Sequence, residues 1–534
     1  MVTSPHALAT SAGLRALQAG GTAVEAAIAA AATIAVVYPH MNGLGGDNVW
    51  LLYDARAQDL KALLACGTAG GACTVETYRA RGYPDAIPRR GPLAANTVPG
   101  AVDGWAEAYR YSQERLRGRL PFTALLEDAI VYAESGFPVT ESQAAWTRAR
   151  VGPDSGPFGG LERLEGWRRT FLRPDGSAYA AGDRYTLPDL AATLRTIARE
   201  GSGAFYRGPI ARRIAAVLEE QGGLLRDADF ARYRCRWADP LSVRYREWSV
   251  CSTPPPTQGL TSLEILNILE QFPLSAWGDA SADYYHVMVE AAKLAFADRD
   301  AWIADPEFAQ VPVSDVLSPS RGRAQAGTIR FDRARKAGPA HPVGGDTVYL
   351  AVVDADGNAV SLIQSIYFDF GSAVVVDGTG VLLHNRGSAF SLTPGDPNAL
   401  APGKRPFHTL NPGMALRDDR PELLYGAMGG EGQPQTQAAV LTRVLDLGRD
   451  VQAAIDAPRW LYGRTWGEAT TALLVEARVP DKVVDELRRR GHDVRVVGAW
   501  DDRMGHAQAI RIDPRTGVRA GGADPRSDGL AAGY

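Results

Sequence analysis

Cysteine is scarce in this chain: four residues in 534, Cys66, Cys73, Cys235 and Cys251, with no CxxC pair. Such sparing use argues against a disulfide framework and a cysteine-based zinc site, and it fits a reducing, cytoplasmic compartment. A lone Cys66–Cys73 or Cys235–Cys251 bridge stays open. Long apolar runs are missing too. The most apolar stretch, AVEAAIAAAATIAVVY at 23–38, contains Glu25 and falls short of the about 20 residues that a membrane span needs. It predicts a buried, alanine-rich helix, and no membrane partner is expected. The N-terminus has no basic segment followed by an apolar run, so the domain is expected to start almost at once, without a signal peptide. Basic residues are not in excess. The formal net charge is −4 and the pI is near 6.1, which argues against a nucleic-acid partner. The eight histidines show no HExxH or similar spacing, and GLGGDN at 43–48 is neither GxGxxG nor a Walker loop. Neither a metal nor a cofactor is expected. His40 and Asp47 are read as structural, and the charge runs RYRCRW and ELRRRGHD as solvated faces.

What is present is an ordinary globular composition, 45% hydrophobic and 22% charged, long enough for a large core. Helices are predicted over 6–19 and 22–37, separated by Gly20-Gly21, and a hairpin over 48–66. A further helix follows NTVPG and carries Val102, Trp105 and Tyr109. Residues 121–134 and 188–219 are helical by period, and 229–253 turn to strand character. After PPPTQG a helix begins near Thr261, and another covers 282–303. Residues 304–346 show no sustained period and read as an exposed loop or linker. From 347 onward short strands dominate (347–353, 359–366, 373–376, 380–383, 412–417 and 422–427). Helices at 433–446, 451–457 and 480–490 and a strand at 506–512 close the chain. Helices, then strands, then helices suggest layers of helix packed on sheet.

The junction HPVGGDTVYLAVVDADGNAVSLIQS, 341–365, raises a chemical question. A threonine hydroxyl is a poor nucleophile without a base beside it. If the chain were cut before Thr347, the new α-amine, titrating near 7.7–8.0, would be that base. The same hydroxyl could first attack the carbonyl of Asp346, shift the acyl group from nitrogen to oxygen, and let water release the chain. A plain turn before a strand is the other reading.

GGDTVYLAVVDADGNAVS resembles the γ-glutamyltransferase (γ-glutamyltranspeptidase) family of N-terminal nucleophile hydrolases. So, in order, do SAGLRALQAGGTAVEAAIAAAATIAVVYPHMNGLGGDNVWLLYD, NTVPGAVDGW, GAFYRGPIARRI, PPPTQGLTSLEILNILE, ADRDAWIADPEF, GTGVLLHNRGSAFS, RPFHTLNPGMAL and GAMGGEGQPQTQ. The resemblance implies an α/β fold: a four-layer αββα sandwich with two stacked antiparallel sheets. It implies a large fragment, 1–346, and a small one, 347–534, forming one catalytic unit as a heterodimer, with further pairing as (αβ)2 left open. Thr347 matches the nucleophile and is expected at a sheet edge facing the cleft. Ser365 falls where the family has a hydroxyl that hydrogen-bonds the nucleophile. Gly429 and Gly430 match the pair whose N–H groups form an oxyanion hole.

Departures from the family pattern matter equally. Glutamyl-specific members place an arginine in the segment matching ALLACGTAGG, where this chain has Cys66 or a neighbour. Tyr367 replaces an asparagine. Arg386 and Ala389 replace the glutamine and aspartate that hold the glutamyl α-amine, and His408-Thr409 replaces a serine pair. A pocket that loses an aspartate and gains an arginine suits a carboxylate better than an ammonium. Arg386, Tyr367, His408 and Thr409 are therefore the candidate substrate-binding residues. The pattern is similar to the oxamate-amidohydrolase and cephalosporin-acylase-like branch, and to antibiotic-biosynthesis homologues that cleave a C–C bond of an oxalyl-type side chain. The expected partner is a small acyl substrate. A true γ-glutamyl transferase or glutathione hydrolase, and an unprocessed binding or scaffold relative, remain as alternatives.

Overall fold

A computed structural model describes residues 1–153, 155–156, 159–336, 346–463 and 470–534. Alternation along the strands explains the layers. In the strand Asp346–Val353, Leu350 and Val352 face one apolar cluster while Tyr349, Ala351 and Val353 face another. Period-two alternation with both faces apolar places this strand between two layers.

The strand belongs to a seven-stranded antiparallel sheet. Its order is Leu530–Ala532, Val2–Ser4, Asp346–Val353, Ala359–Tyr367, Asp47–Asp54, Asp59–Ala65 and Arg236–Ala238. A six-stranded antiparallel sheet runs Arg519–Ala523, Ala507–Ile512, Arg420–Ala427, Gly413–Arg417, Trp248–Ser252 and Leu241–Tyr245. Val49, Tyr349 and Ile363 of the first pack on Cys251, Met414, Leu424 and Ile510 of the second. Outside the first sheet lies the helix Ala23–Val37, all fifteen residues buried, with Thr22 and Glu25 closing a capping box at its start. Outside the second lie Gly259–Leu269, Ala282–Trp302 and Gln433–Leu445, which share a core with Val250, Leu423 and Tyr425. Helix, sheet, sheet, helix is the expected four-layer αββα sandwich. No helix among the described residues is long and apolar enough to cross a membrane.

One buried amide ties the helix layer to the central strand. Gln364 Nε2 donates to Asn42 Oδ1 (2.8 Å) and Ala31 O (3.1 Å), and its Oε1 accepts from Trp105 Nε1 (2.9 Å) and Asn48 Nδ2 (3.2 Å). All of its hydrogen-bonding groups are used, so its burial beside Ser365 fixes register.

Several expectations need correction. Residues 188–219 do not form one helix: they break into Pro188–Glu200, Gly203–Tyr206 and Pro209–Glu220, stopped at Gly201 and restarted at Pro209. A short helix, Asp227–Arg232, takes up the start of the stretch expected as strand from 229. The segment after 304 is not simply an exposed loop. Val313–Val316 and Pro319–Ala326 are helical, and buried Asp305 accepts the Arg405 N–H at 2.8 Å. Elements of four and eight residues are too short to show a period. Residues 337–345 of the expected linker lie outside the described residues. The strand of Thr347 is internal to the sheet, with Ala359–Tyr367 on one side and Val2–Ser4 on the other, although Val2–Ser4 pairs it only at Ala351 and Val352 and does not reach Thr347. The four cysteines are free, so neither candidate bridge forms.

The chain after Ser365 turns sharply. Tyr367, Phe370 and Ala373 all have positive φ (79°, 55° and 59°), a costly conformation for residues with side chains. Asp369 anchors this turn. Its buried carboxylate accepts from Arg150 Nη2 (2.9 Å) and Arg90 Nη2 (3.2 Å). Burial works against its ionisation, but the two guanidiniums outweigh it and hold the group below the usual carboxylate range. Asp369→Asn is expected to cost about 3 kcal/mol by leaving two partly buried cations undercompensated, read as a lowered midpoint in urea unfolding at neutral pH.

Candidate active site

The site forms where the ladder between Asp346–Val353 and Ala359–Tyr367 goes out of step. Gln364 pairs with Val348 and Tyr367 with Asp346, so Thr347 alone faces both Ser365 and Ile366. This is a β-bulge, a device that re-aims side chains. It brings the Thr347 hydroxyl 3.3 Å from Ser365 Oγ, to which it donates. Ser365 Oγ also accepts the Tyr367 N–H at 2.7 Å. From the other side Gln433 Nε2 points at Thr347 Oγ1, 3.5 Å away. Thr347 and Ser365 are buried in the uncut chain.

Gln433 opens the helix that follows Gly429 and Gly430. These glycines have φ of 134° and 51°, and Gly430–Gly432 forms a single 3-10 turn. Among the described residues, neither the Gly429 nor the Gly430 N–H finds an acceptor. Buried N–H groups are rarely left this way. Two such donors in succession lie on the turn that carries Gln433. The turn is held from outside by a buried ion pair, Arg299 Nη2 to Glu431 Oε2 at 2.7 Å.

The opposite wall is cationic. Arg386 is 1% exposed and its guanidinium lies over the Tyr367 ring, 3.7 Å from the centroid. Nη1 donates to Thr409 Oγ1 at 3.1 Å, while Nη2 has no partner among the described residues. Burial lowers the Arg386 pKa to about 10, with Tyr367 and Asp47 opposing the shift, so it stays protonated at neutral pH. Tyr367 pairs with Asp346, which puts this wall one ladder rung from the Asp346–Thr347 peptide. A cavity of about 280 Å3 lies alongside, lined by Arg89, Arg299, Ser388, Ala389, Phe390 and Phe407.

His408 works behind the wall. Its Nε2 lies 3.0 Å from Asp47 Oδ2, and its Nδ1 accepts the Leu410 N–H at 3.4 Å. Burial, helped by the charge on Arg386, pushes its pKa down to about 4, so a neutral ring donates from Nε2. Both ring nitrogens therefore meet protein partners. Asp47 Oδ1 accepts the Gly67 and Gly100 N–H groups, each at 3.0 Å, and His384 Nδ1 stands 3.4 Å from Asp47 Oδ2. Burial opposes ionisation of Asp47, yet His384 and His408 hold it well below the usual carboxylate range.

The structure thus brings Thr347 to Ser365, and Arg386 to both Tyr367 and Thr409. Asp47, foreseen only as structural, is the hub of the wall behind them. Its GLGGDN loop uses glycine for close approach: a Cβ on Gly46 would lie 2.3 Å from Ser365 O. Cys66, at the position of the missing arginine, is buried, and burial pushes its thiol far up, so it offers no charge to a ligand. Gln433, Glu431, His384 and Gln258 were missed. The first two sit inside the quoted GAMGGEGQPQTQ block, where uncommonly dense polar residues ahead of a buried helix were the available signal. Away from this site, His286, Glu290 and His492 cluster within 4.8 Å, but His286 Nδ1 bonds His492 Nε2 (2.9 Å) and Glu290 pairs with Lys293 (2.7 Å).

Comparison with known proteins gives this geometry its family. The gamma-glutamyltranspeptidase family model matches residues 9–534. The chain belongs to that family. It is an N-terminal nucleophile hydrolase, and an enzyme. It is 45% identical to the glutathione hydrolase-like YwrD proenzyme of Bacillus subtilis and 45% identical to the oxamate amidohydrolase proenzyme of Klebsiella pneumoniae, covering 100% of this chain and 98% of each relative. The crystal structure of cephalosporin acylase from Bacillus halodurans superposes with a TM-score of 0.89 at 39% identity, over 100% of this chain and 95% of that one.

The histidines predict acid lability. Burial lowers His408 and His6 to about 4, and His40 and His492 to about 3. The unfolded chain binds these protons near pH 6.5 while the folded chain refuses them, so stability falls as pH drops from about 6.5 toward 4. Each histidine steepens the loss by up to about 1.4 kcal/mol per pH unit. Urea midpoints across this range should decline steadily, and His408→Gln should flatten the slope.

Proposed function

We propose that this enzyme cuts itself between Asp346 and Thr347 and then uses Thr347 to cleave an acyl bond of a small carboxylate-bearing substrate. Residues 1–346 and 347–534 would stay together as one catalytic heterodimer. The proenzyme nature of the two relatives supports self-cleavage, as does the bulge that turns the Thr347 hydroxyl out of the ladder. In the first step Thr347 Oγ attacks the Asp346 carbonyl, the peptide nitrogen leaves as the Thr347 α-amine, and water hydrolyses the resulting ester. In the working cycle the α-amine takes the hydroxyl proton as Oγ attacks the substrate carbonyl. Gly429 and Gly430 N–H groups hold the oxyanion, a stabilisation of about 3 kcal/mol per donor. Ser365 orients the nucleophile. The leaving amine departs with the proton, and water resolves the acyl-Thr347 ester.

The observation that carries the substrate class is Arg386: a buried, protonated guanidinium whose Nη2 is unpartnered among the described residues, one rung from the scissile peptide. An uncompensated buried cation is costly, and a substrate carboxylate would remove the cost. A carbonyl held between this cation and the glycine turn has its acid group close by, as in an oxalyl amide. The name of the Klebsiella relative, an oxamate amidohydrolase, agrees. The glutamyl alternative needs a partner for an α-ammonium, and a cationic wall repels one.

Arg386→Ala is expected to raise KM at least about tenfold for an oxamate-type amide and to leave a neutral acyl amide nearly unchanged. Steady-state kinetics on the two substrates checks this. Equal effects on both would remove the carboxylate role.

A further inference from the structure

Two successive glycines make a poor scaffold for a cradle that must be fixed in advance. Neither has a side chain to lock its dihedral angles, and both sit at positive φ. Something outside the turn has to hold it. One side chain spans the gap between the turn and the cationic wall. Gln258 is fully buried, and its Nε2 donates to Gly430 O at 2.8 Å and to Thr409 O at 2.8 Å. Thr409 is the residue whose hydroxyl receives Arg386. The amide orientation is chemically forced, since a flipped amide would set its oxygen against two carbonyl oxygens. The backbone around Gln258 is zipped to the same wall, with Gln258 N–H on His408 O (2.9 Å) and His408 N–H on Pro256 O (2.8 Å).

We infer that Gln258 is a positioning residue that couples the glycine turn to the Arg386 wall, setting the span between the oxyanion donors and the carboxylate partner. This rests on the acyl-transfer reading above. Holding the Gly430 carbonyl fixes the peptide plane that follows it, and with it the turn that presents the Gly429 and Gly430 N–H groups. Holding the Thr409 carbonyl keeps the hydroxyl that receives Arg386 in place. A substrate that must reach both at once, with its acid group beside the scissile carbonyl, depends on that one amide.

Two size-matched variants test the coupling. Gln258→Met removes both donors, and Gln258→Glu offers at most one O–H in their place. Both are assayed beside wild type on a carboxylate-bearing anilide and a neutral one, with the Thr347 peptide examined by mass spectrometry for the acyl adduct. The expected result is a loss of about tenfold or more in kcat on both substrates. KM should rise about threefold or more for the carboxylate substrate alone, with the melting temperature near that of wild type. Gln258→Glu should recover part of its kcat as pH falls and the carboxyl gains its one donor, while Gln258→Met should not. Self-cleavage slowed at an unchanged melting temperature is the same defect in the first acyl transfer and counts in favour. A kcat loss without the selective KM rise, or the reverse, overturns the coupling. Wild-type turnover with no adduct on Thr347 would overturn the acyl-transfer reading and this one together. A Thr347 adduct with unaltered kinetics in both variants would overturn the role of Gln258 alone.

Discussion

The site depends on one irregular rung of one ladder. Over most of their length Asp346–Val353 and Ala359–Tyr367 pair residue for residue, and the rule fails only at Thr347. That failure lets a buried hydroxyl leave the ladder toward Ser365 instead of lying flat in the sheet. It also leaves Tyr367 at positive φ, with its ring under Arg386. The cost is covered by rigid surroundings. Gln364 spends all its hydrogen-bonding groups just before the bulge, and Asp369 gathers two arginines just after it. A strained point between two over-determined ones is what a fixed reaction geometry needs.

Charge is distributed with the same economy. Behind the site Asp47 is held by two backbone N–H groups and faces two imidazoles. Beside the glycine turn, Arg299 and Glu431 neutralise each other. Arg386 differs in meeting a hydroxyl and an aromatic face, leaving a nitrogen unused among the described residues. In a buried setting an unused donor on a cation is a standing demand for an anion, and the carboxylate reading of the substrate proposed above rests on it.

Much of the sandwich was legible in the sequence because its signals are local. AVEAAIAAAATIAVV between a Thr-x-x-Glu cap and Pro39 is a buried helix on inspection, and DTVYLAVV and AVSLIQSIY are strands by their β-branched content. Ordered motifs supplied Thr347, Ser365, Gly429, Gly430 and Arg386. The rest escaped for physical reasons. The bulge is a property of a pairing, not of either strand. Asp47 and His408 meet across 361 residues, and Gln258 and Gly430 across 172; nothing in PPPTQG announces that its glutamine clasps two carbonyls. The short helices after 304 and the short strands Val2–Ser4 and Leu530–Ala532 hold too few residues for a period to emerge. Their places are set by pairing with each other and with the central strand.

The central claim is that Thr347 becomes an N-terminus. Intact-mass measurement of the purified protein beside Thr347→Ala, with N-terminal sequencing of any small fragment, tests it most directly. The account predicts two species in the wild type, the smaller beginning at Thr347, and a single uncut chain in the variant. One uncut chain in both, or a cut at another bond, would contradict it.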